Sequence, residues 1–193
     1  MEVLNLQFKD WHLQVSPKYG ACILSCSYSG FDVLRTAEAN WKYTHDPMLS
    51  SYFPLVPYSN RIANGQFKWE GKGFNLKPND LGQKFPLHGI GWLSEWTVKE
   101  ITENSCVLEY KNIDGGWSWP FLVRQKIILE DLLLKISLTL ENTGDKIMPS
   151  GLGFHPYFPL SRDVKLQFNT EYVWLSDKNN LPTELLKIPN IWD

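Results

Sequence analysis

Two histidines stand in sequence settings that suit acid–base chemistry. His88 lies between an apolar residue and a glycine in Pro86-Leu87-His88-Gly89, and His155 precedes a proline in Gly153-Phe154-His155-Pro156. Imidazole titrates near neutral pH, so it can give or take a proton under physiological conditions. A single histidine in an apolar run is more often a satisfied core residue, so neither motif alone establishes a catalyst.

An amide and a cation precede these histidines in the chain. Asn60 and Arg61 follow Tyr58 and lie before a predicted strand, and Arg61 alone is typical of a surface or loop-anchoring charge. The stretch from Pro47 to Arg61 is rich in proline, serine and tyrosine. Because proline cannot donate to a sheet ladder, we predict that this stretch is a loop laid over a sheet. Loops on rigid scaffolds often carry binding sites.

The elements that must position these residues show a period of two, which predicts half-buried strands. Such runs cover residues 104–111, 121–129 and 132–140, and the last run places Leu132, Leu134, Ile136, Leu138 and Leu140 on one face. Glu70-Gly71-Lys72-Gly73 separates two short aromatic runs, which predicts a β-hairpin. Strands at this spacing indicate an all-β sandwich, and we predict a single domain over residues 1–193.

Composition excludes several classes of partner. The net charge of −2 gives no reason to expect nucleic acid or an anionic membrane surface. No apolar run approaches the roughly 20 residues that a membrane helix needs. Cys22, Cys26 and Cys106 form an odd and sparse set, which we interpret as small apolar core residues. No signal peptide is visible, so we expect a reduced, cytoplasmic setting.

Taken together, the motifs resemble the galactose mutarotase-like family of aldose 1-epimerases. A proline, an Asn-Arg-Ile triplet, a glycine and a phenylalanine of the family pattern match residues 57–67. A Leu-His-Gly segment followed by tryptophans matches residues 87–89 with Trp92 and Trp96, and a Gly-x-His-Pro-Tyr-Phe segment matches residues 153–158. The order and spacing of these motifs cover nearly the whole chain.

The resemblance implies a galactose mutarotase-like supersandwich that interconverts the α and β anomers of a free aldohexose. The sugar ring opens when a base takes the anomeric hydroxyl proton and an acid protonates the ring oxygen. By resemblance, His155 is the acid, and His88 binds a sugar hydroxyl and shares the proton. Arg61 positions hydroxyls, Asn60 shapes its loop, and Tyr157 and Trp92 line the cleft. The family needs no cofactor or metal, and its partner is a monosaccharide of the galactose or glucose class.

The chain departs from the family at its base. The family's general base is a glutamate close to the C-terminus, and this chain has no residue at the matching position; Glu171 and Glu184 come too early. We therefore expect the last strands of the sandwich to be missing and a sheet edge to be exposed, which a second copy of the chain would cover. Two alternatives stay open: a carbohydrate-binding protein without turnover, and a hexose-6-phosphate 1-epimerase, which needs a cation cluster that only Arg61 suggests.

Overall fold

The computed structural model describes residues 3–79, 82–113 and 115–188. Contacts divide the chain into two compact units. The first comprises Met1–Asn60 and His88–Pro159, and the second comprises Arg61–Leu87 and Leu160–Asp193. The single domain over residues 1–193 stays a prediction.

The first unit is built from two antiparallel sheets. The strands of the six-stranded sheet are β1 (Leu4–Phe8), β2 (Trp11–Ser16), β3 (Cys22–Tyr28), β4 (Phe31–Leu34), β5 (Tyr52–Leu55) and β12 (Gly153–Pro156). Those of the four-stranded sheet are β8 (Thr97–Ile101), β9 (Ser105–Asn112), β10 (Phe121–Glu130) and β11 (Leu133–Asn142). The first sheet has the order β1-β2-β3-β5-β12, with β4 paired to β3, and the second has the order β11-β10-β9-β8. One short helix, α1, spans Trp41–Thr44.

The strands predicted from alternation in residues 104–140 are confirmed as β9, β10 and β11. β10 pairs with both neighbours, so that Ile127 faces Cys106 on one side and Ile136 on the other. Every second residue of β10 is buried, beginning with Phe121. The alternation therefore reports a sheet with one face turned to the core. Within the described residues, β11 and β12 end their sheets, and Phe154 on β12 is 46% exposed.

The prediction of a loop over residues 47–61 is wrong for its centre. Tyr52–Leu55 forms β5, a fully buried strand between β3 and β12. The only residue pair with β3 is Ile23 with Tyr52, so Pro54 lies beyond that ladder and its missing N–H breaks no bond to β3. Proline density argued for a loop, but a short strand with little pairing on one side tolerates proline.

The two faces of β5 bury different neighbours. The Tyr52 hydroxyl donates to Gln125 Oε1 on β10 at 2.9 Å, and Gln125 Nε2 donates to the Ala21 carbonyl at 3.0 Å. This buried bridge joins the two sheets. Phe53 points to the opposite face of the six-stranded sheet, where it packs in a second hydrophobic core. The buried members of that core are Cys22, Leu24, Trp41, Phe53, Leu55 and Trp92.

All three cysteines are free and buried, which confirms their interpretation as core residues. Burial raises the pKa of the Cys22 thiol to about 12 and that of Cys106 to about 11. Such thiols stay protonated and unreactive near neutral pH.

The second unit contains two hairpins. β6 (Gln66–Trp69) pairs with β7 (Lys72–Asn75), and β13 (Tyr172–Ser176) pairs with β14 (Pro182–Lys187). Glu70 and Gly71 both have positive φ, as a tight two-residue hairpin turn requires. The predicted β6–β7 hairpin is thus confirmed. Among the helices of both units, as far as the chain is described, none has the length and apolarity to cross a membrane.

We expect Tyr52→Phe to destabilise the protein by about 1–3 kcal/mol, because it leaves Gln125 Oε1 buried without its donor. Urea unfolding followed by circular dichroism measures the loss. Tyr43→Phe is the matched control, since Tyr43 is 76% exposed and should lose almost nothing. Equal midpoints for the two variants would show that the bridge does not hold the sheets together.

Candidate active site

His155 is placed by the pairing of β12 with β5. The register sets His155 directly opposite Phe53, so both side chains leave the same face of the sheet. Their rings stack with centroids 4.6 Å apart and planes 16° apart. Phe53 is completely buried, and His155 is half-buried on top of it. The imidazole therefore rests on a rigid apolar floor.

The surroundings of His155 disfavour its charged form. Its Nδ1 is buried and has no hydrogen-bond partner among the described residues, which leaves Nε2 as the nitrogen able to meet a ligand. Burial lowers the pKa of His155 below its ordinary value of 6.5; its own backbone carbonyl opposes this shift, and the positive charge of Arg35 adds to it. A protonated His155 is consequently a stronger acid than a histidine in water.

His88 is held by its own loop in an unusual conformation. Its φ is +59°, and its backbone N–H donates to the Asn60 carbonyl at 3.4 Å. The ring Nδ1 lies 3.1 Å from the Ser59 carbonyl oxygen. Because a carbonyl can only accept, this bond needs the hydrogen on Nδ1, which makes Nε2 the acceptor of the neutral ring. His88 thus presents a lone pair to a ligand.

The two imidazoles form one cluster with the aromatic floor. The His88 and His155 rings are 5.3 Å apart and nearly perpendicular. Trp92 stacks on Phe53 at 5.3 Å and meets His88 edge-on at 5.8 Å. Trp92 has no exposed surface, and its Nε1 donates to the Gly89 carbonyl at 3.1 Å. Its burial places Trp92 in the support of the site, although sequence reasoning assigned it to the lining.

The last position of the Leu-His-Gly motif, Gly89, requires glycine for a steric reason. Gly89 has a φ of +74° and forms a bridge with Val56, whose carbonyl accepts the N–H groups of Ile90 and Gly91 at 2.8 and 3.0 Å. A Cβ at Gly89 would overlap the Val56 carbonyl. Only glycine lets the loop that carries His88 approach the end of β5 this closely.

Tyr157 flanks His155. The centres of the His155 and Tyr157 rings are 4.8 Å apart. The guanidinium of Arg35 lies over the Tyr157 ring, with Cζ 3.7 Å from the ring centre. Sequence reasoning missed Arg35 and Phe53. Phe53 was hidden in the proline-rich stretch, although its apolar neighbours are typical of a buried strand. No local pattern marks Arg35, which is a single charge after β4.

The two remaining predicted residues, Asn60 and Arg61, belong to different units. Asn60 is exposed, and its carbonyl supports His88 within the first unit. Arg61 belongs to the second unit, where its Nη2 donates to Gln83 Oε1 at 3.3 Å. The structure thus brings His88, His155, Tyr157 and Trp92 together, and Asn60 holds the main chain beneath them. In the described ranges, no three histidine, cysteine or acidic side chains are grouped as metal ligands would be.

Comparison with known proteins identifies the family. The sequence model of the aldose 1-epimerase family matches residues 6–191. Protein YphB of Escherichia coli is 36% identical over 135 residues, which are 70% of this chain and 46% of that protein. The aldose 1-epimerase of Haemophilus influenzae is 29% identical over 198 residues, covering 95% of this chain and 55% of that enzyme. The chain therefore belongs to the aldose 1-epimerase family.

Solved structures show the same fold. A crystal structure of a putative aldose 1-epimerase from Escherichia coli superposes with a TM-score of 0.88 at 30% identity, covering 97% of this chain and 62% of that one. Galactose 1-epimerase from Lactobacillus acidophilus gives 0.79 at 19% identity. The fold is the galactose mutarotase-like β-sandwich. The chain spans about half the length of the curated relatives it matches.

We expect Gly89→Ala to destabilise the protein more than Gly30→Ala, although both glycines have positive φ. Nothing lies within 4 Å of a Cβ at Gly30, so that variant costs only the backbone strain of about 1–2 kcal/mol. Gly89→Ala adds the overlap with Val56 and displaces His88. Urea unfolding compares the two free energies, and equal losses would contradict a steric role for Gly89.

Proposed function

We propose that this chain binds a free aldohexose and interconverts its α and β anomers by opening and reclosing the ring. The observation that carries the proposal is the pair of imidazoles beside Phe53. His88 has an acceptor nitrogen in its neutral form, and the lowered pKa of His155 makes its protonated form a stronger acid. Membership of the aldose 1-epimerase family supports a sugar as the ligand. The half-buried rings of both histidines and Tyr157 supply aromatic surface for a sugar.

Ring opening moves two protons. His88 Nε2 accepts the proton of the anomeric hydroxyl, while protonated His155 gives its Nε2 proton to the ring oxygen as the bond from C1 to that oxygen breaks. The product is the open-chain aldehyde. After rotation about C1–C2, the hydroxyl re-attacks the aldehyde from the other face, returns its proton to His155, and the new anomeric oxygen takes the proton back from His88. Both histidines end as they began.

The binding roles rest on the family resemblance. Arg61 is assigned to positioning sugar hydroxyls through its fork of donors, and Asn60 to shaping the loop that holds His88. Tyr157 is assigned to lining the site beside His155.

Sugar binding without turnover is the second candidate, and one observation favours it. In the described part of the first unit, no carboxylate is hydrogen-bonded to His155, while the family uses a glutamate as base. Binding alone would need only the hydrogen-bonding groups and the aromatic floor, which the first unit holds. Turnover needs a base in addition, the role that the proposal gives to His88.

The first test is polarimetry of freshly dissolved α-D-galactose or α-D-glucose with and without protein. We expect equilibration faster than in buffer, and His155→Ala should lower the catalysed rate about 10²–10⁴-fold, the usual contribution of a general acid. His12→Ala is the matched control, because His12 lies exposed on β2 and should change nothing.

The outcomes separate the two candidates. A rate equal to the buffer blank, with galactose binding retained in calorimetric titration, would leave a binding protein. An unchanged rate in His155→Ala would remove His155 from the mechanism. A strong preference for glucose 6-phosphate over glucose would replace the free sugar with a phosphorylated one.

The rate that depends on His155 should fall as pH rises through the pKa of this group, because the donor is the imidazolium. Since burial lowers that pKa, the fall should lie below pH 6.5, on the acidic side of an ordinary histidine. The difference in rate between wild type and His155→Ala, measured from pH 5 to 8, gives the profile. A difference that stays constant over this range would exclude the imidazolium as donor.

A further inference from the structure

Arg35 is hydrogen-bonded to two parts of the first unit at once, the residue after β12 and the segment before β5. Its backbone N–H donates to the Tyr157 carbonyl at 2.9 Å, directly after β4 ends at Leu34. Its Nε and Nη2 donate to the Ser50 carbonyl at 3.0 and 2.9 Å, and Nη2 also donates to the Met48 carbonyl. The charge is therefore pinned by backbone acceptors, which a mobile surface arginine would lack.

The guanidinium plane covers the Tyr157 ring. Cζ lies 3.7 Å from the ring centre, the distance of a close cation–π contact. Tyr157 is held further by its N–H, which donates to the Ser51 carbonyl at 2.9 Å, and by its hydroxyl, which donates to Met48 Sδ at 3.6 Å. Arg35 and Tyr157 are thus both hydrogen-bonded to residues 48–51, the segment directly before β5.

Tyr157 in turn contacts His155, with 4.8 Å between ring centres. His155 is enclosed by Phe53 below, Tyr157 on one side and His88 on another. A shift of Tyr157 would therefore let the imidazole tilt away from Phe53. The contacts run from Arg35 through Tyr157 to His155.

The charged groups around this chain of contacts come from several elements. Glu38 lies 3.7 Å from Arg35 Nη1 and is half exposed, so it neutralises Arg35 only in part. Asp46 accepts from the Met48 N–H at 2.9 Å and acts on Tyr157. The titratable groups that face His155 in the ring cluster are Tyr157, at 4.8 Å between ring centres, and His88, at 5.3 Å. Among these groups, Arg35 is the fixed cation that acts on His155.

We propose that Arg35 is a positioning residue for the sugar site, which holds Tyr157 against the His155 imidazole and supplies a fixed positive charge beside it. This inference deepens the proposed function and rests on it. The geometry fixes where the acid stands, and the charge makes the imidazolium release its proton more readily. The lowered pKa of His155 agrees in direction with such a charge.

The test compares Arg35→Gln, Arg35→Lys and Arg124→Gln. Arg124 pairs with Glu109 and Glu141 on the exposed face of β10, so Arg124→Gln removes the same charge far from the ring cluster. Imidazole titration by NMR follows His155, which the His155→Ala spectrum assigns among only four histidines. Polarimetry gives kcat and KM for each variant, and urea unfolding confirms that each is folded.

We expect Arg35→Gln to raise the pKa of His155 and to lower kcat about 10- to 100-fold with little change in KM, the loss expected for a misplaced catalytic group. Arg35→Lys keeps the positive charge but loses the guanidinium hydrogen bonds to Met48 and Ser50. The pKa of His155 should therefore stay low while kcat falls. Arg124→Gln should change neither. If Arg35→Gln fails to fold, Arg35→Lys carries the test through its kcat.

Folded Arg35 variants with the kcat and His155 titration of wild type would overturn the inference and leave the proposed function standing. If wild type itself does not catalyse mutarotation, the NMR titration still decides the matter. A rise in the His155 pKa for Arg35→Gln, absent in Arg124→Gln, would support the charge beside His155, and equal titrations would refute it.

Discussion

The four-residue pairing of β5 with β12 is the constraint on which the candidate site depends. It sets His155 opposite Phe53 and, one residue along, Pro156 opposite Tyr52. Because side chains alternate across a strand, a slip of β12 by one residue would turn His155 toward the inter-sheet core, onto the face opposite Phe53. A single register thus places the proposed acid His155, its apolar floor and the bridge between the sheets.

That register is enforced from both faces of β5. On the inner face, Tyr52 and Gln125 satisfy each other where neither meets water, so a slipped strand would bury polar atoms without partners. On the outer face, Phe53 fills a core with Trp41 and Trp92. A slipped strand would lose both environments together, which helps a strand containing proline to hold its place.

Much of this could be predicted from the sequence, and the omissions have physical reasons. Alternation revealed β9, β10 and β11, because β9 and β10 bury residues on one face and most apolar residues of β11 are half-buried between exposed ones. The hairpin turn at Glu70-Gly71 was found because positive φ restricts the residues allowed there. β5 was missed since a strand buried on both faces shows no alternation, and its proline argued for a loop. Arg35 reaches Tyr157 only through the tertiary fold, more than 100 positions along the chain.

The same fold gives the two histidines different chemical characters. A carbonyl acceptor at Nδ1 fixes the tautomer of His88 and leaves it a lone pair. Burial and Arg35 destabilise the cation of His155 and make it a readier donor. Pairs of titratable groups whose surroundings push them toward opposite roles are typical of acid–base sites. The first unit thus holds, on one aromatic floor, an imidazole with an acceptor nitrogen and an imidazole whose cation is destabilised, which is the combination that the proposed ring opening uses.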